Sequence, residues 1–333
     1  MKAFRMEGPR VAAVAEVPDV AVKTGEALLR VKMVGMCGTD LNTFRGRNAM
    51  VAFPRVPGHE VAAEIVDGGG SLAAGTRVTI SPYTSCGRCP SCRRGRVNAC
   101  QFNETMGVQR DGAMTEYISV PMEKLYPANL SIKEFCLVEP LTVGFHAAAR
   151  GRVTAHDTVA VFGCGGVGLG AIASAAFRGA ETIAIDMDDA KLEIARKAGA
   201  KHLIHSKNED LHERLSAITG GHGPDVMIEA IGLPQTFRAA VEEVAFTGRV
   251  VYIGYAKEPV AYETRLFVQK ELDILGSRNA LPEDFREVIR MLESGRFPVE
   301  DAVSVVVPME DAARMLSEWS EAPGKFTKIM VEI

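Results

Sequence analysis

The chain has 333 residues, of which 47% are hydrophobic and 24% are charged. These values are typical of a soluble globular protein, and the length predicts two domains. A formal net charge of −4, with no block rich in lysine or arginine, argues against nucleic-acid binding. No apolar run is long enough to span a membrane, and the N-terminus lacks the apolar segment of a signal peptide. Seven cysteines, an odd number, favour a reducing cytoplasm over a disulfide framework.

The N-terminal part, up to about residue 127, predicts short β-strands separated by glycine and proline turns. The predicted strands cover residues 27–34, 59–66, 76–81 and 115–120. Short strands of this kind are typical of a β-barrel-like domain. A helix is predicted over residues 131–150, where it leads to the next part of the chain.

Two short segments of this N-terminal part carry metal-binding residue types. Cys37 begins the segment Cys-Gly-Thr-Asp, and His59 lies in the segment Gly-His-Glu. A thiolate, an imidazole and a carboxylate, together with a water, make an open catalytic zinc site. The spacing alone does not show that these residues converge, because a single cysteine or histidine is more often in a core or on a surface.

Four closely spaced cysteines give the most specific metal signal: Cys86, Cys89, Cys92 and Cys100. Four thiolates close a tetrahedral shell around zinc, which is the arrangement of a structural site. Two alternatives are four reduced thiols in a loop and an iron–sulfur cluster. The last spacing is seven residues and no proline follows it, so zinc fits better than iron and sulfur. A closed shell has no position for substrate, and the reaction is therefore expected elsewhere.

After residue 154 apolar strands alternate with helices. Strands are predicted at 159–162, 182–186, 202–205, 225–230, 250–254 and 272–275, with helices at 166–177, 189–197, 211–219 and 236–244. This alternation predicts a doubly wound parallel sheet. Beyond residue 277 we predict helices at 284–293 and 310–319 and strands at 303–307 and 328–333, in a tail that packs back onto the N-terminal part.

A glycine-rich loop directly follows the first strand of this sheet and opens a helix. Its predicted cofactor-binding residues are Gly163, Gly165, Gly166, Val167 and Gly168. In this context the glycines allow a tight turn and let the backbone approach a pyrophosphate at the helix N-terminus. The alternative is that the glycines serve only helix–strand packing.

An acid, Asp186, ends the next strand and is placed to accept hydrogen bonds from the adenine ribose of a dinucleotide. The following residue, Met187, supplies no positive charge for a 2′-phosphate, so NAD is predicted rather than NADP. Ile253 and Arg278 are further candidates for contact with the cofactor.

Together these motifs resemble the medium-chain zinc-dependent alcohol dehydrogenases, over the whole chain. The resemblance implies an α/β protein with a GroES-like β-barrel catalytic domain and a Rossmann domain with a doubly wound parallel sheet. The expected ranges are residues 1–133 for the catalytic domain, 134–277 for the NAD-binding domain, and 278–333 for a return to the catalytic domain. It also implies two zinc ions per chain and a homodimer or homotetramer.

For the catalytic zinc, the resemblance implies Cys37, His59 and an acidic third ligand, as in the polyol and threonine dehydrogenase branch. Glu60 and Glu139 compete for the third place, and the second acid is then expected to hold the water. Asp40 is expected to orient the imidazole of His59. The alternatives are a Glu139 on a helix surface and an Asp40 that only caps a turn.

The implied reaction is hydride transfer from a substrate alcohol to NAD, with zinc acting as the Lewis acid. Thr39 matches the hydroxyl that first takes the substrate proton. Members of the family usually continue this relay through a histidine three residues later, where this chain has Asn42. An amide does not titrate, so the proton route is left open between ribose, water and another group.

Three residues are predicted to line the substrate pocket. Phe44, Arg110 and Asn279 are candidates at the pocket. The pattern resembles sorbitol, L-iditol and hexonate (L-galactonate or L-gulonate) 5-dehydrogenases, with L-threonine 3-dehydrogenase as the alternative. A protein of another class, an NAD-binding sensor or structural protein without activity on the same scaffold, is also kept open.

Overall fold

A computed structural model describes all 333 residues, which form two compact units. The N-terminal unit comprises Met1–Glu139 and Val299–Ile333, and the central unit comprises Pro140–Pro298. The first division falls inside one helix, directly before Pro140. The domain boundaries expected at residues 133 and 277 stay a prediction.

The chain forms fifteen β-strands and eleven α-helices. The strands are β1 (Lys2–Gly8), β2 (Val11–Glu16), β3 (Glu26–Met36), β4 (Glu60–Asp67), β5 (Arg77–Ile80), β6 (Tyr117–Pro121), β7 (Leu125–Pro127), β8 (Thr158–Phe162), β9 (Glu181–Asp186), β10 (His202–His205), β11 (Val226–Glu229), β12 (Arg249–Tyr252), β13 (Asp273–Gly276), β14 (Val305–Pro308) and β15 (Ile329–Glu332). The helices are α1 (Gly38–Phe44), α2 (Pro90–Arg93), α3 (Ile132–Arg150), α4 (Gly166–Phe177), α5 (Asp189–Lys197), α6 (Leu211–Thr219), α7 (Pro234–Glu243), α8 (Arg265–Gln269), α9 (Pro282–Glu293), α10 (Val299–Ala302) and α11 (Ala312–Glu321). None of them is both long and apolar enough to cross a membrane.

The N-terminal unit contains a seven-stranded sheet in the order β14-β15-β3-β4-β5-β7, with β6 also paired to β3. Its core is apolar and includes Phe4, Leu29, Ile80 and, from the C-terminal segment, Leu316. The long strand β3 lies between β4 and β15, both antiparallel to it. In this register Gly35 faces Glu60 on one side, and Met36 faces Ile329 on the other. The sheet therefore brings the start of β4 and the start of β15 to the C-terminal end of β3, one on each side of it.

The central unit contains a six-stranded parallel sheet in the order β10-β9-β8-β11-β12-β13. Its inner strands β8, β9, β11 and β12 are mostly buried apolar runs, as expected where helices cover both faces of a parallel sheet, whereas the edge strand β13 is largely exposed. From β8 the chain adds β9 and β10 on one side of the sheet and then β11, β12 and β13 on the other side. Such a switch point is where parallel sheets of this kind bind ligands, at the carboxyl ends of their strands.

The hairpin β1–β2 and the helix α1 were absent from the sequence prediction. Gly, Thr and Asn are poor helix formers, so residues 38–44 carry little helical signal. The helix is instead stabilised at its start, where Asp40 Oδ2 accepts a hydrogen bond of 2.8 Å from the backbone N–H of Cys37.

Candidate metal centres and dinucleotide site

The N-terminal unit brings Cys37, His59 and Glu60 together, with one ligand atom of each within 4.8 Å of the others. Cys37 precedes α1, while His59 and Glu60 stand where the chain enters β4. His59 and Glu60 are buried, whereas Cys37 is half-buried. Sulfur, nitrogen and oxygen donors in one small cluster match the donor set of a catalytic zinc. The residues present therefore fit this metal.

Asp40 and His59 carry buried polar atoms that the protein does not satisfy. Asp40 Oδ1 and His59 Nδ1 make no hydrogen bond, and buried polar atoms of this kind call for an explanation such as a bound ion or water. Burial raises the pKa of Asp40, while the charge of His59 opposes this. Burial on its own would lower the pKa of His59, but its hydrogen bond to Cys37 and the nearby negative charges raise it well above its usual value.

Glu139, the second candidate acid, lies on α3 beside this cluster but outside the set of converging ligand atoms. It is 4% exposed, so it is not on a helix surface. Its Oε1 accepts a hydrogen bond from the hydroxyl of Tyr83. Burial raises the pKa of Glu139, and burial together with the charge of Glu139 raises the pKa of Tyr83 well above its usual value. The hydroxyl of Tyr83 is therefore the donor in this pair.

Lys328, just before β15, is a site residue that sequence reasoning missed. Its Nζ donates to both carboxylate oxygens of Glu60, at 2.6 and 2.7 Å, and to the carbonyl of Met36 at 3.3 Å. A Cβ at Gly35 would lie 2.0 Å from Glu60 Oε2, so only glycine leaves room for this carboxylate. Burial would lower the pKa of Lys328, but the charge of Glu60 raises it. Each carboxylate oxygen has two lone pairs, so Lys328 does not exclude a metal from Glu60.

The four-cysteine loop, defined by Cys86, Cys89, Cys92 and Cys100, also converges. All four thiols are free and their sulfur atoms lie within 4.8 Å of one another. The Cys89 sulfur is 3.5 Å from that of Cys92 and 3.9 Å from that of Cys100. Tetrahedral zinc with Zn–S bonds of about 2.3 Å requires sulfur atoms about 3.8 Å apart. The loop therefore fits a structural zinc.

The thiol of Cys89 is prepared for metal binding by its hydrogen bonds. The hydroxyl of Ser91, 3.0 Å from the sulfur, and neighbouring backbone N–H groups lower the pKa of Cys89 to about 5. The thiolate is the form that binds a metal.

In the central unit, the glycine-rich loop connects β8 to α4. Gly163 has a φ of +94°, and a Cβ at Gly168 would lie 1.8 Å from the carbonyl oxygen of Gly163. Gly165 has no neighbouring atom within 4 Å of a Cβ position, so its backbone is open to a ligand. Gly166 and Val167 form the first turn of α4 and are half-buried. This cradle fits a pyrophosphate at a helix N-terminus.

Asp186 stands at the carboxyl end of β9, next to the same loop. Its Oδ2 accepts from the backbone N–H of Cys164 at 2.7 Å, and its Oδ1 accepts from that of Met187 at 2.7 Å. These two bonds fix the carboxylate at the edge of the sheet where a Rossmann fold holds the adenine ribose.

Glu229 is a second residue that sequence reasoning missed, and it organises the neighbouring edge of the sheet. It is fully buried, and its Oε1 accepts from the N–H groups of Ile231 and Gly232 and from the hydroxyl of Thr236, at 2.7 to 2.9 Å. Its carbonyl also accepts from the N–H of Ile253. The side chain of Glu229 thus supports the loop after β11, and its backbone carbonyl supports the loop after β12. Both loops lie on the side of β8 away from Asp186. An acid that ends an apolar strand just before a glycine was the available signal.

The predicted substrate residues lie in different surroundings. Phe44 is 2% exposed and packs in the core of the N-terminal unit. Arg110 donates to the carbonyls of Pro82 and Glu104 and lines a cavity of about 360 Å³, to which none of the converging metal-ligand candidates contributes. In the central unit, Asn279 has a φ of +52° and is half-buried, and the neighbouring Arg278 is exposed.

The two predicted relay positions occupy one face of α1. Thr39 is half-buried in the first turn of the helix, and its carbonyl accepts a hydrogen bond from Thr43. Asn42, three residues later, is exposed.

Comparison with known proteins gives the family. Residues 23–130 match the alcohol dehydrogenase GroES-like domain, and residues 166–294 match the zinc-binding dehydrogenase domain. The L-galactonate-5-dehydrogenase of Escherichia coli K12 is 35% identical over 83% of this chain and 82% of its own length. The sorbitol dehydrogenase of Bacillus subtilis 168 is 33% identical over 99% of this chain and 97% of its own length.

A solved structure from Escherichia coli CFT073, an alcohol dehydrogenase complexed with cofactor NADH, has a TM-score of 0.90 and 28% identity, covering 100% of this chain and 99% of that one. The chain belongs to the zinc-dependent alcohol dehydrogenases. The predicted fold class, a GroES-like domain with a parallel Rossmann sheet, and the predicted class of enzyme are confirmed.

Proposed function

We propose that this chain oxidises a secondary alcohol of a polyol or sugar acid by transferring a hydride to NAD. The observation that carries this proposal is the convergence of Cys37, His59 and Glu60 in one cluster, in which His59 and Glu60 are buried and Cys37 is partly exposed. The names of two relatives, which act on L-galactonate and on sorbitol, support this substrate class. The first name specifies oxidation at position 5 of the hexonate, which carries a secondary hydroxyl.

In the proposed site, Cys37, His59 and Glu60 hold the catalytic zinc, with Glu139 beside them. When bound, the zinc lowers the pKa of the substrate hydroxyl so that it ionises near neutral pH. Asp40 fixes the start of α1 and thereby the position of Cys37. The charge of Lys328 balances that of Glu60 in this buried cluster. The four-cysteine loop holds a second, structural zinc.

In the central unit, the glycine-rich loop holds the pyrophosphate of NAD and Asp186 binds the adenine ribose. NAD supplies the hydride-accepting ring. Asp186 repels the 2′-phosphate of NADP, and Ile253 and Arg278 are proposed as further contacts. We therefore expect Asp186→Ala to weaken NAD binding and to lower the preference for NAD over NADP. Titration of both cofactors against the purified protein measures this.

The substrate proton is proposed to pass first to the hydroxyl of Thr39, which lies on the half-buried face of α1. Arg110, Asn279 and Phe44 are proposed as the residues that select the substrate. Assembly into a homodimer or homotetramer and a cytoplasmic location are part of the same proposal. The exposed edge strand β13 offers a surface for pairing with a second copy.

A substrate panel tests the proposed function. The purified chain is mixed with NAD or NADP and with L-galactonate, L-gulonate, sorbitol, L-iditol or L-threonine, and formation of the reduced cofactor is followed by absorbance. We expect reduction of NAD with a hexonate or a polyol. Reduction of NAD with L-threonine alone would replace this proposal with L-threonine 3-dehydrogenase.

Metal content separates an enzyme from an NAD-binding sensor on the same scaffold. Two zinc ions per chain, together with NADH formation that a chelator abolishes, support the enzyme. One zinc ion per chain and no turnover with any compound of the panel support the sensor.

A further inference from the structure

Tyr83 connects the two candidate metal centres. Its hydroxyl donates a hydrogen bond to Glu139 Oε1, beside the cluster that contains Cys37. Tyr83 is 6% exposed and Glu139 is 4% exposed, so water does not compete for this bond. Three residues after Tyr83, the four-cysteine loop begins at Cys86. The side chain of Tyr83 thus connects the segment that leads into the four-cysteine loop to Glu139, beside the candidate catalytic cluster.

The backbone on the C-terminal side of Tyr83 is held by the segment that follows the last cysteine of the loop. The N–H of Thr84 donates to Asn103 Oδ1 at 3.2 Å, and the hydroxyl of Thr84 accepts from the N–H of Glu104 at 2.7 Å. Asn103 in turn donates its N–H to the carbonyl of Cys100 at 3.2 Å. A metal that fixes Cys100 therefore also fixes the chain around Tyr83.

We propose that Tyr83 is a positioning residue for Glu139, and that the four-cysteine loop acts on the reaction through it. This inference rests on the proposed function. Loss of a hydrogen bond to a buried carboxylate is costly, so Glu139 is expected to shift when the hydroxyl of Tyr83 is removed. The charge of His59 acts on Glu139, and a shift toward the metal held by Cys37, His59 and Glu60 would change the set of ligands. With the hydroxyl of Tyr83 in place, Glu139 stays beside this set.

Cobalt in the catalytic site gives a readout that does not depend on turnover. Its visible absorption reports the number and geometry of the metal ligands. We expect Tyr83→Phe to shift the cobalt bands and to change metal affinity or kcat by about 10- to 100-fold, the usual effect of losing a partner of a metal-site residue. Tyr117→Phe removes a hydroxyl from the same unit, away from the metal centres, and serves as the matched control.

A double-mutant cycle shows whether Tyr83 acts through Glu139. In a Glu139→Gln background, Tyr83→Phe is expected to change the cobalt spectrum little further, because residues that share one interaction are not additive. An unchanged spectrum and metal affinity in Tyr83→Phe would overturn the proposal. So would a shift that persists undiminished in the Glu139→Gln background, since Tyr83 would then act on the fold alone. Spectra that behave as expected in a protein without dehydrogenase activity would reject only the proposed function.

Thr84→Val keeps the hydroxyl of Tyr83 but removes the bond to Glu104. We expect a cobalt shift in the same direction as in Tyr83→Phe, but smaller. If Tyr83→Phe does not fold, Thr84→Val still tests whether the four-cysteine loop acts on the metal cluster through Tyr83. A cobalt spectrum identical to that of the wild type would show that the four-cysteine loop does not act through Tyr83.

Discussion

The two candidate metal centres of this chain use cysteine in opposite ways. The four-cysteine loop supplies four sulfur donors from one short stretch between residues 86 and 100. The candidate catalytic cluster supplies one sulfur, from Cys37, together with the imidazole of His59 and the carboxylate of Glu60 from the start of β4. A tetrahedral shell of four thiolates leaves no position for a substrate, whereas a mixed set of three donors leaves one.

The surroundings of the two centres differ as much as their donors. Around the four-cysteine loop, the thiols are stabilised by short-range partners such as Ser91. Around Cys37, the partners are buried and charged: Asp40, Glu139 and Lys328. The four-cysteine loop takes all its donors from one segment, whereas the cluster of Cys37, His59 and Glu60 forms only when several elements of the N-terminal unit are folded. In the proposed function, the same unit therefore holds a stabilising metal and a reactive one at separate sites.

Replacement of Cys37 gives the largest expected effect on the reaction. Cys37→Ser removes one donor of the catalytic zinc, which supplies several kcal/mol to the transition state, so kcat/KM falls by about ten-thousandfold. The protein stays folded and keeps one zinc ion per chain. Activity, metal content and circular dichroism measure these outcomes.

Cys136→Ser is the matched control for Cys37→Ser. The thiol of Cys136 is also buried in the N-terminal unit and donates to the carbonyl of Glu60 at 3.2 Å, a bond that a serine hydroxyl retains. We expect near-normal activity from this variant. Loss of both zinc ions from Cys37→Ser would contradict the separation of the two centres.

Replacement of Cys92 is expected to act on stability rather than on chemistry. Cys92→Ser opens the four-thiolate shell, and losing a structural zinc costs about 4 kcal/mol or more of folding free energy. The melting temperature should fall by about 10 °C. The folded fraction keeps the catalytic zinc and a reduced kcat. Loss of turnover as complete as in Cys37→Ser, with no loss of stability, would reverse the assignment of the two centres.

Lys328 gives a test of which acid binds the catalytic zinc. Lys328→Met leaves Glu60 buried without its counter-charge, and breaking a buried ion pair costs about 3 kcal/mol. If Glu60 is a ligand, bound zinc takes over part of this neutralisation. The variant is then destabilised more in the metal-free protein than in the zinc-loaded protein, as measured by denaturant unfolding. Lys328→Arg keeps the charge and is the control, and an equal cost in both forms would favour Glu139 as the third ligand.

Sequence reasoning succeeded wherever the signal is local. The four cysteines and the glycine-rich loop each lie within one short stretch, and each strand and helix of the central unit is predicted from its own residues. Asp186 follows from its position at the end of a strand beside that loop. The residue ranges of α4, α5, β10 and α6 agree with the sequence prediction.

Partners that meet only through the tertiary fold could not be predicted. Lys328 reaches Glu60 across β3, over a sequence separation of 268 residues, because the register of β15 and β4 on that strand brings them together. Tyr83 reaches Glu139 from a loop that carries no helical or strand pattern. Glu229 stands at the end of an apolar strand, which the sequence shows, but its role follows only from the loop that its carboxylate supports.

The smallest expected effect concerns Asn42, at the position where the resemblance to the family implies a histidine in the proton relay. Asn42→His places an imidazole, with a usual pKa of about 6.5, one helical turn from Thr39. The neutral ring accepts a proton, so kcat gains a few-fold above about pH 6.5 and loses this gain below it, where the ring is already protonated. Asn42→Gln does not titrate and is the control. With the substrate identified in the panel, identical pH profiles of kcat for the two variants would show that the proton leaves Thr39 without passing position 42.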